Sequence, residues 1–441
     1  SSYSQNMSKT FQRGDKSLHN RWAMYDWANS VYSLTIATAV FPIYFTAVTK
    51  DIDGGYLSLF GFRILTSTVY SWSVSFAFLI TALVSPLLSS VADYKGNKLS
   101  FMKFFCYLGS LCCVMLYWFD ASTVWFGIFF FVIATIGFNG SLVYYNAFLP
   151  EIAEEQDQDR VSAKGFSMGY LGSVILLIIN LILIMFHSSF GFVDESIPTK
   201  IAFVSVGLWW AGFAQITFFK LPKSSPADAK DGYNVLTGGF SELKKVWQQL
   251  RQLPVLKTYL GAFFFYSMGV QTVMLAAALF GSKELKMETS QLIGVILVIQ
   301  LVAIAGAYIM AKLSEKFGNL RVLLFVVCIW IGVCIAAYYT YTAVQFYIVA
   351  AVVGLVMGGI QSLSRSTYAK LMPPTHDTTS FFSFYDVAEK MAIVLGMASF
   401  GFIDSILDMR SAIIALITFF AIGAVVLFAA LKIPAASSGN K

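Results

Sequence analysis

The sequence predicts an all-α membrane protein in which twelve transmembrane helices form two pseudo-symmetric six-helix bundles. Three observations predict this fold class: an apolar composition, twelve long apolar runs, and a repeat between the two halves of the chain. Of the 441 residues, 57% are hydrophobic and 12% are charged, whereas a soluble domain carries about 25% charged residues. So few charges cannot cover a water-facing surface. Soluble enzymes and nucleic-acid-binding proteins are therefore excluded, and no nucleic-acid partner is expected.

The apolar runs are long enough to be helices that cross a bilayer, which needs about 20 apolar residues. A β-barrel is disfavoured because the uninterrupted run Val174–Phe186 lacks the alternation of a barrel strand. The predicted spans are residues 22–48, 65–91, 99–118, 123–148, 166–187, 199–219, 255–280, 290–313, 321–341, 343–368, 380–405 and 411–432.

The distribution of Lys and Arg predicts the orientation of these spans. Most basic residues fall in the segments on one side of the predicted membrane, the side that also holds both termini. Because cytoplasmic loops are enriched in Lys and Arg, we expect residues 1–21 and 433–441 to be cytoplasmic. The expected location is the plasma membrane.

The long segment 220–254 separates the two sets of spans. It begins with a stretch rich in Pro, Ser, Lys and Asp, and continues with apolar residues at helical spacing opposite a basic face. This pattern predicts a linker ending in an amphipathic helix on the membrane surface. The chain is thus divided into an N-terminal bundle, 22–219, and a C-terminal bundle, 255–432.

Two loops of the predicted bundles match each other. Asp93 follows the second span and Glu315 follows the eighth, 222 residues later, and the same offset pairs Cys106 with Cys328. A constant register over several helices indicates an internal repeat. Transporters built from such repeats place the substrate site between the halves.

Both loops resemble the signature of the major facilitator superfamily, Gly-x-x-x-Asp-(Arg/Lys)-x-Gly-(Arg/Lys)-(Arg/Lys). More specific runs resemble one branch, the autophagy-related vacuolar amino-acid effluxers, formerly a family of unknown function, and the compact loops resemble its bacterial members. Met268 departs from that branch, where an acidic residue often stands. The matching runs are Tyr25–Ser30, Tyr145–Pro150, Gly269–Thr272 and Gly358–Ser366, with Phe381, Phe382, Tyr385 and Lys390 in the eleventh span.

Asp26 is an acidic residue inside the first span, where a charge costs about 2.5–3.5 kcal/mol on insertion scales. With Asn29 and Tyr32 it forms a polar stripe that could bind a cation, a proton or a substrate ammonium. Alternatively, Asp26 anchors the start of the span through Arg21 or Lys164.

Arg365 lies in the tenth span, one turn after Gln361. Its permanently charged guanidinium suits a substrate carboxylate or phosphate. Alternatively, Arg365 pairs with Asp386 or Glu389 and locks an inner gate.

Three charged residues open the eleventh span. Asp386 and Lys390 are spaced i,i+4 and could satisfy each other, which would leave Glu389 as the freer carboxylate and a candidate for proton coupling. The alternative is an ion network at the interface. Asp93 and Glu315 are expected to act in gating, because their loops resemble the conformational latch of the superfamily.

Uncharged polar residues at mid-depth are further candidates for substrate binding. Any one of them could instead be an interhelical hydrogen bond worth about 0.6 kcal/mol. The set comprises Asn139, Tyr145, Asn146, Gln271, Gln300 and Gln361.

The predicted function is a secondary active transporter that moves a small polar solute by alternating access and is coupled to protons. Amino acids are favoured as substrates by the resemblance alone, which also implies a monomer. The alternatives are a uniporter or exporter of sugars, peptides or amphiphilic drugs, or, in another class, a membrane-embedded enzyme or lipid scramblase. Without an ATPase motif, metal cluster or nucleotide-binding signature, no enzymatic activity, metal or cofactor is expected.

Overall fold

The structure is a computed structural model that describes residues 13–222 and 234–434. The prolines and charges that predict a linker between the bundles fall largely outside these residues. The long helices are α1 (Lys16–Thr49), α2 (Thr66–Lys95), α3 (Lys98–Met115), α4 (Val124–Ala147), α5 (Gln158–Met185), α6 (Ser196–Phe218), α7 (Val235–Arg251), α8 (Pro254–Lys283), α9 (Thr289–Phe317), α10 (Asn319–Tyr338), α11 (Ala343–Leu371), α12 (Thr378–Ile406) and α13 (Met409–Leu431).

Eleven of these helices are long and apolar enough to cross a membrane. The twelfth predicted span corresponds to α12, whose 29 residues reach about 43 Å at 1.5 Å per residue. Asp386, Glu389 and Lys390 lower its hydropathy, yet they pair with one another. The predicted fold class is confirmed, and α7 is the additional helix between the two bundles.

A two-stranded hairpin joins α1 to α2, and the sequence prediction contained no strands. Strand β1 (Tyr56–Leu59) pairs antiparallel with β2 (Phe62–Leu65). The turn places Phe60 and Gly61 at φ 50° and 82°, the left-handed pair that two-residue hairpins need. We use "far end" for the end of the bundle that carries this hairpin, and "termini end" for the opposite end, where α1 begins and α13 ends.

The two halves of the chain pack against each other through four helix pairs. The N-terminal half is α1–α6 and the C-terminal half is α8–α13. Helix α2 packs on α12, α5 packs on both α9 and α11, and α4 packs on α12. The surface between the halves is therefore formed largely by α2, α4, α5, α9, α11 and α12.

Helices α9 and α11 lie close together because glycines remove side chains from their contact. A Cβ added to Gly358 would lie 2.1 Å from the Ala303 carbonyl oxygen, and one added to Gly306 would lie 2.1 Å from the Leu355 carbonyl oxygen. Small residues allow such close packing of membrane helices. The glycines thus position α11, which carries Arg365.

Gly358→Ala should destabilise the protein by about 1–3 kcal/mol, because the new methyl group overpacks a backbone contact that cannot yield. Gly332→Ala is the matched control on α10, where an added Cβ meets nothing within 4 Å. Thermal unfolding in detergent tests this pair. An equal melting temperature for the two variants would contradict the described packing.

Candidate functional site

The polar contacts between the two halves are concentrated at the termini end. They form three groups, centred on Asp26, on Asp159 and on the start of α12. The deepest contact joins the Tyr170 hydroxyl of α5 to the Gln361 side chain of α11. Together these contacts close the bundle at the termini end, and we call them the seam.

The first group is a buried ion pair between the halves. Arg365 Nη1 of α11 lies 3.2 Å from Asp26 Oδ2 of α1, and both side chains are almost completely buried. Tyr145 donates a hydrogen bond of 3.1 Å to the same carboxylate oxygen. Arg365 also donates to Asn146 Oδ1 and to the side chain and carbonyl oxygen of Ser162.

Aromatic rings enclose the guanidinium of this pair. Its central carbon lies 4.1 Å from the ring centre of Phe166, 4.8 Å from that of Trp22 and 5.5 Å from that of Tyr145. Such cation–π contacts favour a desolvated arginine. Gly165 allows α5 to approach, since an added Cβ would lie 2.7 Å from Asp26 Oδ2.

The predicted partners of Asp26 and Arg365 were wrong. Asp26 does not use Lys164, whose amine bonds to the Asn20 side chain, and its partner in the structure is Arg365. Arg365 likewise does not pair with Asp386 or Glu389, because Lys390 takes both of those carboxylates. Each residue was expected to pair within its own half of the chain, whereas the structure joins them across the halves.

The second group surrounds Asp159, at the start of α5, whose side chain is fully buried. Its carboxylate accepts hydrogen bonds from Ser314 Oγ at 2.7 Å, Asn319 Nδ2 at 2.8 Å and Lys370 Nζ at 2.6 Å. These donors lie at the ends of α9, α10 and α11 facing the seam. Sequence reasoning missed Asp159, because it lies among other acidic residues in a segment predicted to be a loop.

The predicted gating role of Glu315 is not supported by its position. Glu315 is exposed, while its neighbour Ser314 is buried and bonded to Asp159. The acidic residue of this second seam group therefore comes from the N-terminal half. The prediction assigned the inward-facing position to Glu315, but the preceding residue, Ser314, occupies the inward face of α9 and Glu315 points away from the seam.

The third group holds the start of α12. Asp93, at the end of α2, accepts hydrogen bonds from the Ser380 amide and hydroxyl, both at 2.7 Å. The carboxylate thereby satisfies backbone donors of the first turn of α12. Lys98 and Glu151 pair with each other and both bond to Thr378. Asp93 therefore joins the two halves at this end, and its role in gating stays a prediction.

Asp377 stands just before α12 and is buried beside other acidic groups. Burial, followed by the carboxylates of Asp93 and Glu242, raises the pKa of Asp377 to about 8. Lys245 of α7 lies 3.8 Å from its carboxylate and only partly offsets this effect. A proton on Asp377 thus favours the closed seam.

The closed seam should weaken as the pH rises through about 8. A raised pKa means that the closed state binds the proton more tightly than the open state, so the stabilisation is complete below the ordinary carboxyl pKa of about 4 and is lost progressively until the pH passes about 8. Asp377→Asn should remain closed on both sides of that pH. The reaction of a cysteine placed at the buried Ser380 with a maleimide measures the opening. An unchanged pH response in Asp377→Asn would contradict this role.

The charged group predicted at the start of α12 is an ion network within one helix. Lys390 Nζ lies 3.0 Å from Asp386 Oδ1 and 2.8 Å from Glu389 Oε1. The pairing of Asp386 with Lys390 is confirmed. Glu389 also pairs with Lys390, but its side chain is 29% exposed against 7% for Asp386, so its role in proton coupling stays a prediction.

The uncharged candidates separate into three sets. Tyr145 and Asn146 join the Asp26–Arg365 pair, and Gln361 joins the seam through Tyr170. Tyr32 instead bonds to Thr135 inside the N-terminal half, so it does not line a site between the halves. Gln271 and Gln300, on α8 and α9, are half-buried outside these three groups.

Two carboxamides on α1 and α4 are buried with unused donors. The Nδ2 atoms of Asn29 and Asn139 have no hydrogen-bond partner within the described residues. Asn29 lies about one turn beyond Asp26 toward the far end, and Ser33, seven residues after Asp26, is exposed on the same helix face. Unused polar groups next to an exposed position are suited to a bound polar solute.

Comparison with known proteins adds a family to this geometry. A family model described as "Vacuole effluxer Atg22 like" matches residues 14–433. The chain belongs to the Atg22-like effluxer family. It is 33% identical over 411 residues to YxiO, an MFS-type transporter of Bacillus subtilis, across 92% of this chain and 93% of that protein. Autophagy-related protein 22-2 of Aspergillus oryzae is 26% identical over 452 residues, across 81% and 74% of the two chains.

Solved structures show the same fold as this Atg22-like chain. The fucose:proton symporter FucP of E. coli superposes with a TM-score of 0.67 at 14% identity, over 94% of this chain and 97% of that one. The proton:xylose symporter XylE gives a TM-score of 0.67 at 12% identity, over 94% of both chains. The predicted major facilitator fold, the bacterial resemblance and the assignment to transporters rather than enzymes are confirmed.

Proposed function

We propose that this Atg22-like protein is a secondary active transporter that moves a small polar solute, with amino acids favoured, by alternating access coupled to protons. The observation that carries the proposal is the buried Asp26–Arg365 pair between the halves. A transporter must separate its halves at one end while it closes the other. This pair therefore has to break and re-form in each cycle.

The charges of the pair favour a zwitterionic substrate. Breaking a buried ion pair leaves uncompensated charges and costs about 3–5 kcal/mol. An amino acid carries a carboxylate for Arg365 and an ammonium for Asp26, so it can replace both lost partners at once. A solute with one charge can replace only one of them. The empty transporter would thus stay closed, while the loaded one could open.

Protons supply an alternative partner for the Asp26 carboxylate. When Arg365 moves away, Asp26 is left beside Tyr145 and Trp22, in surroundings that solvate a charge poorly. A proton bound there would allow the halves to separate with Arg365 occupied by a substrate carboxylate. Glu389 is the second candidate for coupling, since its side chain remains 29% exposed beside Lys390.

The proposed setting is the plasma membrane, with the termini end in the cytoplasm. The exposed basic residues Lys95, Lys244, Arg251, Lys316 and Lys432 all lie at the termini end, as the positive-inside rule requires. In this orientation the seam closes the cytoplasmic side, and we infer that the exposed Ser33, beyond the Asp26–Arg365 pair on α1, is reached from the outside. A monomer contains both halves of the site and is sufficient for this cycle.

Transport in proteoliposomes tests the proposal. An imposed pH gradient should drive movement of a labelled amino acid, while its decarboxylated amine and its des-amino acid should compete weakly. Asp26→Asn should abolish the response to the gradient, and Glu315→Gln should leave it intact. Movement of a neutral sugar without any amino acid would reject the substrate class and support the sugar-transporter alternative.

A further inference from the structure

Helix α7 carries an apolar stripe that the rest of the protein leaves uncovered. Leu236, Phe240 and Trp247 are 57%, 63% and 46% exposed, and their spacing places them on one face of the helix. Lys244 and Arg251 flank this face and are also exposed. An apolar stripe bordered by basic residues is typical of a helix lying in the interface of an anionic membrane.

The opposite face of α7 is fixed to the N-terminal half. A Cβ added to Gly238 would lie 2.6 Å from the Tyr94 ring, and one added to Gly239 would lie 2.6 Å from a Val91 methyl group. Both partners lie in the last turns of α2. Because the glycines allow this close approach, α7 should move together with α2.

The contact of α7 with the C-terminal half is slighter. It includes the Trp247 and Phe384 rings, whose centres are 5.4 Å apart, and Lys245 Nζ, 3.8 Å from Asp377. Both partners belong to α12 or to the residue before it. Opening the termini end separates α2 from α12, so these contacts should break while those with α2 persist.

We propose that α7 binds anionic phospholipid headgroups and that this binding favours opening of the termini end. Lys244 and Arg251 can meet headgroups in both states and therefore shift no equilibrium. In the closed state Lys245 Nζ lies 3.8 Å from Asp377 and 3.9 Å from Glu242 of its own helix, and opening removes Asp377, so a headgroup can take the place of Asp377 in the open state. A ligand shifts a conformational equilibrium only through such a differential contact.

The charge on α7 favours lipid phosphate as the partner. Lys244, Lys245 and Arg251 outnumber Glu242, the acidic residue of this helix. A basic side chain near an anionic surface contributes about 1 kcal/mol, which corresponds to about a fivefold shift in the ratio of open to closed molecules. High salt should reduce this shift, because it screens exposed charges.

The test uses the full-length protein in nanodiscs of phosphatidylcholine with or without phosphatidylglycerol. Spin labels at Arg160→Cys and Lys316→Cys, exposed positions on either side of the seam, report the separation of the halves by electron–electron double resonance. Cys328, the exposed cysteine, is replaced by serine. Phosphatidylglycerol should raise the ratio of open to closed molecules about fivefold, whereas glycerol phosphate added to phosphatidylcholine discs should not.

Lys245→Gln should lose the lipid response, and Lys257→Gln, which removes an exposed positive charge on α8, should retain it. Lys245 is 58% exposed, so its substitution does not threaten folding. An equal lipid response in Lys245→Gln, or none in the unmodified sequence, would overturn the proposal. The lipid proposal rests on the alternating opening proposed above, and Arg365→Gln distinguishes failure of one proposal from failure of the other. If Arg365→Gln lengthens the label distance while phosphatidylglycerol does not, the lipid proposal is wrong and the alternating opening stands.

Discussion

Arg365→Gln should shift the protein strongly toward the state that is open at the termini end. The substitution leaves the Asp26 carboxylate buried with Tyr145 as its remaining partner. Removing one member of a buried ion pair costs about 3–5 kcal/mol, which is more than a hundredfold in the ratio of closed to open molecules. The same label pair at positions 160 and 316 should report a longer distance, and proton-driven uptake should be lost.

The double variant Asp26→Asn, Arg365→Gln separates charge from shape at this site. It replaces the ion pair by two neutral amides of similar size, so neither charge is left buried without its partner, which is the main cost of removing one member alone. The double variant should therefore recover most of the closed population but no coupled uptake. Recovery of neither property would indicate that the site collapses, and recovery of both would show that the charges serve no transport role.

Asp159→Asn should open the same end by a smaller amount. The substitution weakens three hydrogen bonds that cross the seam and leaves Lys370 without its anionic partner. Hydrogen bonds to charged groups contribute about 1.5–3 kcal/mol. However, Lys370 is 19% exposed and keeps a bond to Asn319, so the net loss should be about 2–3 kcal/mol.

Glu315→Gln is the matched control for Asp159→Asn. Both variants remove one carboxylate at the termini end, but Glu315 is exposed and lies outside the seam. Surface substitutions usually change stability by less than about 0.5 kcal/mol. The label distance at positions 160 and 316 should change in Asp159→Asn alone. Equal distances in the two variants would refute the role assigned to Asp159.

The architecture could be predicted from the sequence because a helix that crosses lipid needs a long run of apolar residues, and such runs can be counted. The repeat also places Asp93 and Glu315 in equivalent loops. The same reasoning found Asp26 and Arg365, since a charge inside a span requires a partner. The hairpin between α1 and α2 was not predicted. Its eight paired residues are few and directly precede a long apolar helix, so their sequence resembles a loop and the start of that helix.

The pairing of the charged residues could not be predicted, because it depends on how the halves dock. Asp26 and Arg365 are 339 residues apart, and the predicted partners all came from the same half of the chain. Asp159 stands among other acidic residues before an apolar run, a pattern that resembles a solvated loop. In the structure α5 begins earlier than predicted, at Gln158, and this extension carries Asp159 into the seam.

Labelling of a cysteine at Ser33 with a membrane-impermeant maleimide tests the central claim, that the Asp26–Arg365 pair controls which end is open. Ser33 is exposed and lies on the face of α1 that carries Asp26. In proteoliposomes of known orientation and with Cys328 replaced by serine, Ser33→Cys should react from the far end while Arg365 is present. With Arg365→Gln added, it should react from the termini end instead. Equal reaction from both sides, or no change on adding Arg365→Gln, would contradict this account.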